Sequence, residues 1–167
     1  MSSSARDGYR KKDNGKIGKR CRLVLKLLIL YHSQTGNTEA MAKAVYEGAS
    51  SAGATVTMKK AAETTDDDLL ACDAVAFGSP VYFGYMAGTL KDFFDRIFYT
   101  VRGKVDDKPY AAFSSAGAGG RQALESIDRV CNSFRLKKAF EGVVATGKPS
   151  SRVLEECKEL GKKLAEL

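Results

Sequence analysis

"LLILYHSQTGNTEAMA", residues 27–42, joins two patterns that do not belong to one element. Residues 27–30 are continuously apolar, as a strand covered on both faces must be. From Met41 onward apolar residues recur at helical spacing, with Met41, Ala44, Val45, Gly48 and Ala49 on one face. Between them residues 33–38 are rich in hydroxyls and amides, built around Gly36. A buried strand that turns within a few residues into a helix is the opening of a β–α unit, and the rest of the chain repeats the pattern.

Strand-like runs are expected over 24–31, 53–60, 73–80, 108–115 and 140–147. Helices are expected over 37–52, 64–73, 86–98, 121–134 and 151–167. The third helix turns Met86, Leu90, Phe93, Phe94 and Ile97 inward, the fourth Leu124, Ile127, Val130, Cys131 and Phe134, and the fifth Val153, Leu154, Cys157, Leu160 and Leu164. Alternating strands and helices of this length predict an α/β fold, a doubly wound five-stranded parallel sheet with helices on both faces.

The 167 residues suit one domain, and no apolar run reaches the roughly 20 residues a membrane span needs. The net charge of +7 resembles a nucleic-acid footprint, but its distribution excludes that reading. Residues 1–26 hold nine Lys/Arg against two Asp, and the remainder balances 18 basic with 18 acidic residues. The leader, 1–23, has no apolar period and cannot bury enough surface to offset ordering entropy, so it is expected to be a disordered basic tail. An acidic partner for it is the alternative, as is a native start near Val24 or Leu25. Residues 24–167 are expected to form the domain. Cys21, Cys72, Cys131 and Cys157 lack metal-ligand spacing and disulfide patterning, which argues against a metal centre and for a reducing, cytoplasmic setting. Cys131 and Cys157 read as small core residues.

Three unusual loops follow the first, third and fourth strands: "HSQTGNT", "SPVYFGYMAG" and "SAGAGG". Ligands of open α/β sheets bind beyond the carboxyl ends of the strands, so these loops are expected to converge. In the first, Ser33, Thr35 and Thr38 bring hydroxyls, Gln34 and Asn37 bring amides, and Gly36 admits close backbone approach. The helix behind adds unpaired N–H groups and a positive dipole end, which together make a phosphate cradle. The loop has no lysine and the chain no G-x-G-x-x-G, so neutral donors for a phosphate monoester fit better than a nucleoside triphosphate site.

"SQTGNT" resembles the phosphate loop of the flavodoxin-like flavoproteins, Ser/Thr-x-Thr-Gly-x-Thr. "GSPVYFGYMAGTLKDFFDR" and "FSSAGAGGRQALESI" resemble the second and third flavin loops of that group, nearest to NAD(P)H:quinone oxidoreductases of the tryptophan-repressor-binding-protein type and their short relatives. The resemblance runs from about residue 26 to the C-terminus and implies the strand order 2-1-3-4-5. By the same resemblance Ser33, Thr35, Gly36, Asn37 and Thr38 hold the FMN phosphate. Pro80, Val81, Tyr82, Phe83 and Gly84 border the isoalloxazine. Ser115, Ala116, Gly117, Gly119 and Gly120 contact ring and ribityl chain. His32, the single histidine, is read as a neighbour of the phosphate loop, and no protein catalytic residue is expected because the flavin carries the chemistry.

Electron-shuttling members usually cover the exposed flavin face with an aromatic from the third loop and are often acidic. Here that loop carries no aromatic and the body is neutral. The expectation is therefore an FMN oxidoreductase with NADH or NADPH as co-substrate and a quinone or other small-molecule acceptor, in a homodimer or higher homo-oligomer. A flavodoxin-type electron carrier is the alternative, and a flavin-binding sensor a third.

Overall fold

The computed structural model describes residues 24–167, so the expectation for the leader lies outside the described residues. Seven strands form the sheet: β1 (Lys26–Tyr31), β2 (Thr55–Lys60), β3 (Ala74–Tyr82), β4 (Tyr85–Met86), β5 (Pro109–Ala116), β6 (Lys137–Lys138) and β7 (Val143–Thr146). Five α-helices accompany them: α1 (Asn37–Ser51), α2 (Asp66–Ala71), α3 (Gly88–Val101), α4 (Arg121–Ser133) and α5 (Ser151–Ala165). The main order is β2-β1-β3-β5-β6, with β7 also paired to β5, and every pairing is parallel except the β3–β4 hairpin.

This is the doubly wound sheet expected from the sequence, with two corrections to its strand count. The fifth strand is divided. Lys137–Lys138 pairs with the start of β5 and Val143–Thr146 with its end, and the chain leaves the ladder between them. Gly142 explains part of the tight return, because a Cβ there would press on Leu124 and on the Ala112 carbonyl. The second correction is β4. Met86, expected at the start of the third helix, sits in a two-residue strand, and the helix begins at Gly88.

The sheet separates two cores. On one face Leu28, Leu30, Val75 and Phe77 pack under α3 and α4, where Phe77, Phe94, Phe134 and Phe98 form a chain of tilted and edge-to-face rings. On the other, Leu27, Ile29, Ala76 and Phe113 pack under α1 and α5. A strand feeding both layers must be apolar at consecutive positions, which is what residues 27–30 are. The expected inward residues of α1 and α3 are buried, as are Cys131 and Cys157; Val130, Val153 and Leu154 are half-buried.

Helices α1 and α5 pack closely because each presents glycine at the crossing. A Cβ on Gly48 would overlap the Lys158 carbonyl, and one on Gly161 the Val45 carbonyl. Helix α2, only six residues long, is fastened at both ends. Thr65 and Asp68 form a capping box at its start, Asp68 pairs with Lys59 of β2 at 2.7 Å, and Lys108 Nζ donates to the carbonyls of Leu69 and Cys72 at its end. No helix among the described residues is long and apolar enough to cross a membrane.

Candidate functional site: a cleft at the carboxyl end of the sheet

At the end of β1 the His32 N–H donates to Gly78 O of β3 at 3.0 Å, so the first loop leaves directly over the centre of the sheet. Gly36 then turns the chain at φ 92°, where a side chain is strained. Its N–H donates to Ser33 Oγ at 3.1 Å, and the Gly36 carbonyl accepts the first helical bond, from Ala40 N. No side chain caps α1. The N–H groups of Asn37, Thr38 and Glu39 therefore end the helix without an intrahelical acceptor, beside a loop of neutral donors. Glu39, the acid in the first turn, is paired with Lys43 at 2.8 Å, and that hydrogen bond holds its carboxyl below the usual range.

The second loop is a hairpin whose two turn residues, Phe83 and Gly84, both have positive φ (51° and 72°). Glycine tolerates this and phenylalanine does not, so the base of the hairpin must hold the strain. Two buried hydroxyls brace it: Ser79 Oγ accepts from Ala87 N at 2.8 Å, and Ser126 Oγ of α4 accepts from Met86 N at 3.0 Å. Phe83 is left wholly exposed at the tip. Tyr82 turns toward the first loop, its OH donating to Gln34 Oε1 at 3.0 Å and its ring meeting the His32 imidazole edge-on at 5.9 Å. Burial, and then the charge of Lys60, lowers the His32 pKa from its ordinary 6.5.

The third loop leaves β5 at Ala116. Ser115 is buried and its Oγ lies 2.8 Å from Thr38 Oγ1, which ties the start of α1 to β5. The Ala116 carbonyl accepts from Gly147 N at 2.7 Å, so a fourth loop, after β7, closes this side. Gly117, Ala118 and Gly119 are exposed.

These loops enclose a cleft of about 280 Å³ lined by Ser33, Gln34, Thr35, Asn37, Thr38, Pro80, Val81, Tyr82, Ser115, Ala116, Gly117 and Gly147. Eleven of those are singled out in the sequence, ten as cofactor residues and Gln34 as an amide of the first loop. Gly36 shapes the loop from within it. Phe83 and Gly84 stand off at the hairpin tip, and Gly119 and Gly120 lie outside the lining. Gly120 is buried instead, where a Cβ would overlap Val144. Gly147 is not among the residues expected from the sequence, although a Gly directly after an apolar strand is the same signal that marks the other loops. A larger depression of about 660 Å³, lined by Val24, Leu25, Asp73 and Pro109, lies at the other end of the strands, where none of the donor-rich loops reaches.

The donor set fits a phosphate monoester joined to a flat, partly apolar group. Neutral hydroxyls, amides and helix N–H groups sit at one end of the cleft, while Pro80, Val81 and the Tyr82 ring sit beside them. Among the described residues no cluster of His, Cys, Asp or Glu could hold a metal ion.

In a doubly wound sheet, a cleft beyond the carboxyl ends of the strands, beside a donor-rich first loop and an uncapped first helix, is where ligands of such folds bind. The flavodoxin family model matches residues 29–161, and the chain belongs to the flavodoxin family. It is 37% identical over 158 residues to a flavodoxin of Aquifex aeolicus (strain VF5), covering 84% of this chain and 85% of the relative. A solved flavodoxin from the domain Archaea superposes with a TM-score of 0.75 at 28% identity, covering 85% of this chain and 97% of the other. A flavodoxin described as WrbA-like, from Agrobacterium tumefaciens, superposes with a TM-score of 0.73 over 85% of this chain and 96% of its own; at 24% identity it speaks for the fold alone.

Proposed function

We propose that this chain binds FMN in the cleft and works as an electron carrier between redox partners. The observation that carries the reading is α1. A 15-residue helix opens with no side-chain cap onto five neutral donor residues, which leaves its first N–H groups free for an anion to complete. Ser33, Thr35, Asn37 and Thr38 with the first N–H groups of α1 would hold the phosphate. Tyr82, Val81 and Pro80 would border the ring, and the backbone of 115–117 its polar edge. Bound there, FMN would supply one- and two-electron redox chemistry, and the residues around it would bind, orient and partly desolvate it. Membership in the flavodoxin family supports this carrier reading over the oxidoreductase first expected.

One feature favours the second reading, NAD(P)H-dependent reduction of quinones. The exposed third loop, 117–119, offers no aromatic side chain to cover a flavin face, which leaves room for a stacked nicotinamide or quinone. The readings separate in one assay. FMN-loaded protein acting as a carrier relays electrons from a flavoprotein reductase to cytochrome c and does not itself oxidise NADH or NADPH. Sustained NAD(P)H oxidation with benzoquinone and no reductase would establish the enzyme instead. In either case FMN is expected to bind more tightly than riboflavin, and equal affinities would remove the phosphate cradle. A reducing, cytoplasmic setting and an accessory role for residues 1–23 belong to the same proposal.

A further inference from the structure

Gln34 lies in the middle of the first loop, between two hydroxyl residues read as phosphate ligands, yet its side-chain oxygen is already committed. Its Oε1 accepts the Tyr82 hydroxyl at 3.0 Å, spanning from the first loop to the hairpin, and both residues line the cleft. The Tyr82 ring is also met by the His32 imidazole, edge-on at 5.9 Å with planes 78° apart. His32 is itself anchored through its N–H to Gly78 O. Tyr82 is the half-buried last residue of β3, beyond the buried run that ends at Pro80, and precedes a turn whose Phe83 stands at φ 51°, so burial in the core does not fix where the ring points. The ring is set by contacts from the loop that holds the other end of the ligand.

We infer that Gln34 is a positioning residue for the ring end of the bound flavin: through the Tyr82 hydroxyl it sets the aromatic wall, and it does not serve the phosphate. The inference rests on the FMN reading above. It also explains why a loop of phosphate donors contains one long amide among short hydroxyl residues, since only a side chain of that length crosses the mouth of the cleft.

His32 is the only histidine in the chain, so its imidazole Cε1–H gives a single NMR signal that reports the neighbouring Tyr82 ring without any ligand. In the cofactor-free protein, Gln34→Leu should move that signal toward its position in Tyr82→Leu, while Gln34→Glu, which keeps an acceptor oxygen, should leave it near the wild-type position. In binding titrations Gln34→Leu should weaken riboflavin and FMN equally, by about two- to fivefold for one exposed hydrogen bond. Tyr82→Phe should do the same, and the double variant should lose no more than either alone. An unmoved His32 signal in Gln34→Leu, a loss confined to FMN, or additive losses would each overturn the inference. Wild-type protein that binds neither flavin would end the FMN reading, and the His32 signal would still decide whether Gln34 holds Tyr82.

Discussion

Ser33 and Thr38 look equivalent in the sequence, and the structure separates them. Ser33 sits on the rim, where its hydroxyl accepts from Gly36 N and keeps a hydrogen to donate. A charge-assisted bond to phosphate contributes roughly 1.5–3 kcal/mol, so Ser33→Ala should cost FMN about ten- to a hundred-fold in affinity and leave riboflavin unchanged by titration. Thr38 is buried, and its hydroxyl is shared with Ser115. Thr38→Val therefore strands a buried Ser115 hydroxyl and should lower stability by about 1–3 kcal/mol as well, a loss that adding Ser115→Ala should relieve in denaturant unfolding. Ser114 presents the opposite case. It pairs in register with Ser79, is fully buried, and its hydroxyl has no partner among the described residues, so Ser114→Ala should be neutral or mildly stabilising. His32 adds a pH dependence with a definite sign. Burial first, then Lys60, lowers its pKa in the fold, so the unfolded chain takes up the proton more readily. Stability should hold above 6.5 and fall as the pH drops below it toward the lowered pKa, and His32→Gln should flatten that decline in melts across the range.

The elements were legible to the extent that one pattern controlled each. Buried strands fed by two cores are continuously apolar, and β1, β3 and β5 stood out for that reason. Helices α1, α3 and α4 showed their stripes because each buries one face. Two features were hidden. The hairpin turn of Phe83 and Gly84 lacks the Asn or Asp that usually announces such a turn, and the hydroxyls that stabilise it, Ser79 and Ser126, are remote in sequence. The segment Lys137–Lys138 pairs through its backbone alone, with exposed lysine side chains that carry no strand signal. In the sequence Gly48 falls on the apolar face of α1, but the requirement it meets is at the crossing with Gly161. Replacing either with alanine forces the helices apart and should cost about 1–3 kcal/mol in chemical denaturation, where an ordinary helical Gly→Ala change would stabilise.

For the whole molecule, the sequence located the cleft because the topology brings the ends of β1, β3 and β5 together, whatever each loop contributes separately. It did not show how the loops hold one another: Gln34 to Tyr82, Thr38 to Ser115, Ala116 to Gly147. Such bonds join residues far apart in the chain and leave no local pattern. The balanced charge of the domain predicts that removing residues 1–23 leaves the melting temperature and FMN affinity unchanged, and a clear fall in either would show that the leader belongs to the folded unit. The glycine crossing of α1 and α5 also bears on how the chain is made. The face of α1 that carries Val45, Gly48 and Ala49 is covered by the last helix, more than a hundred residues downstream. A nascent chain can pair β1 with β3 and seat α3 while still attached to the ribosome, but that layer stays open until α5 has emerged. Stalled chains ending at Pro149 should remain protease-sensitive in α1, and extension through Leu167 should close it in a single late step.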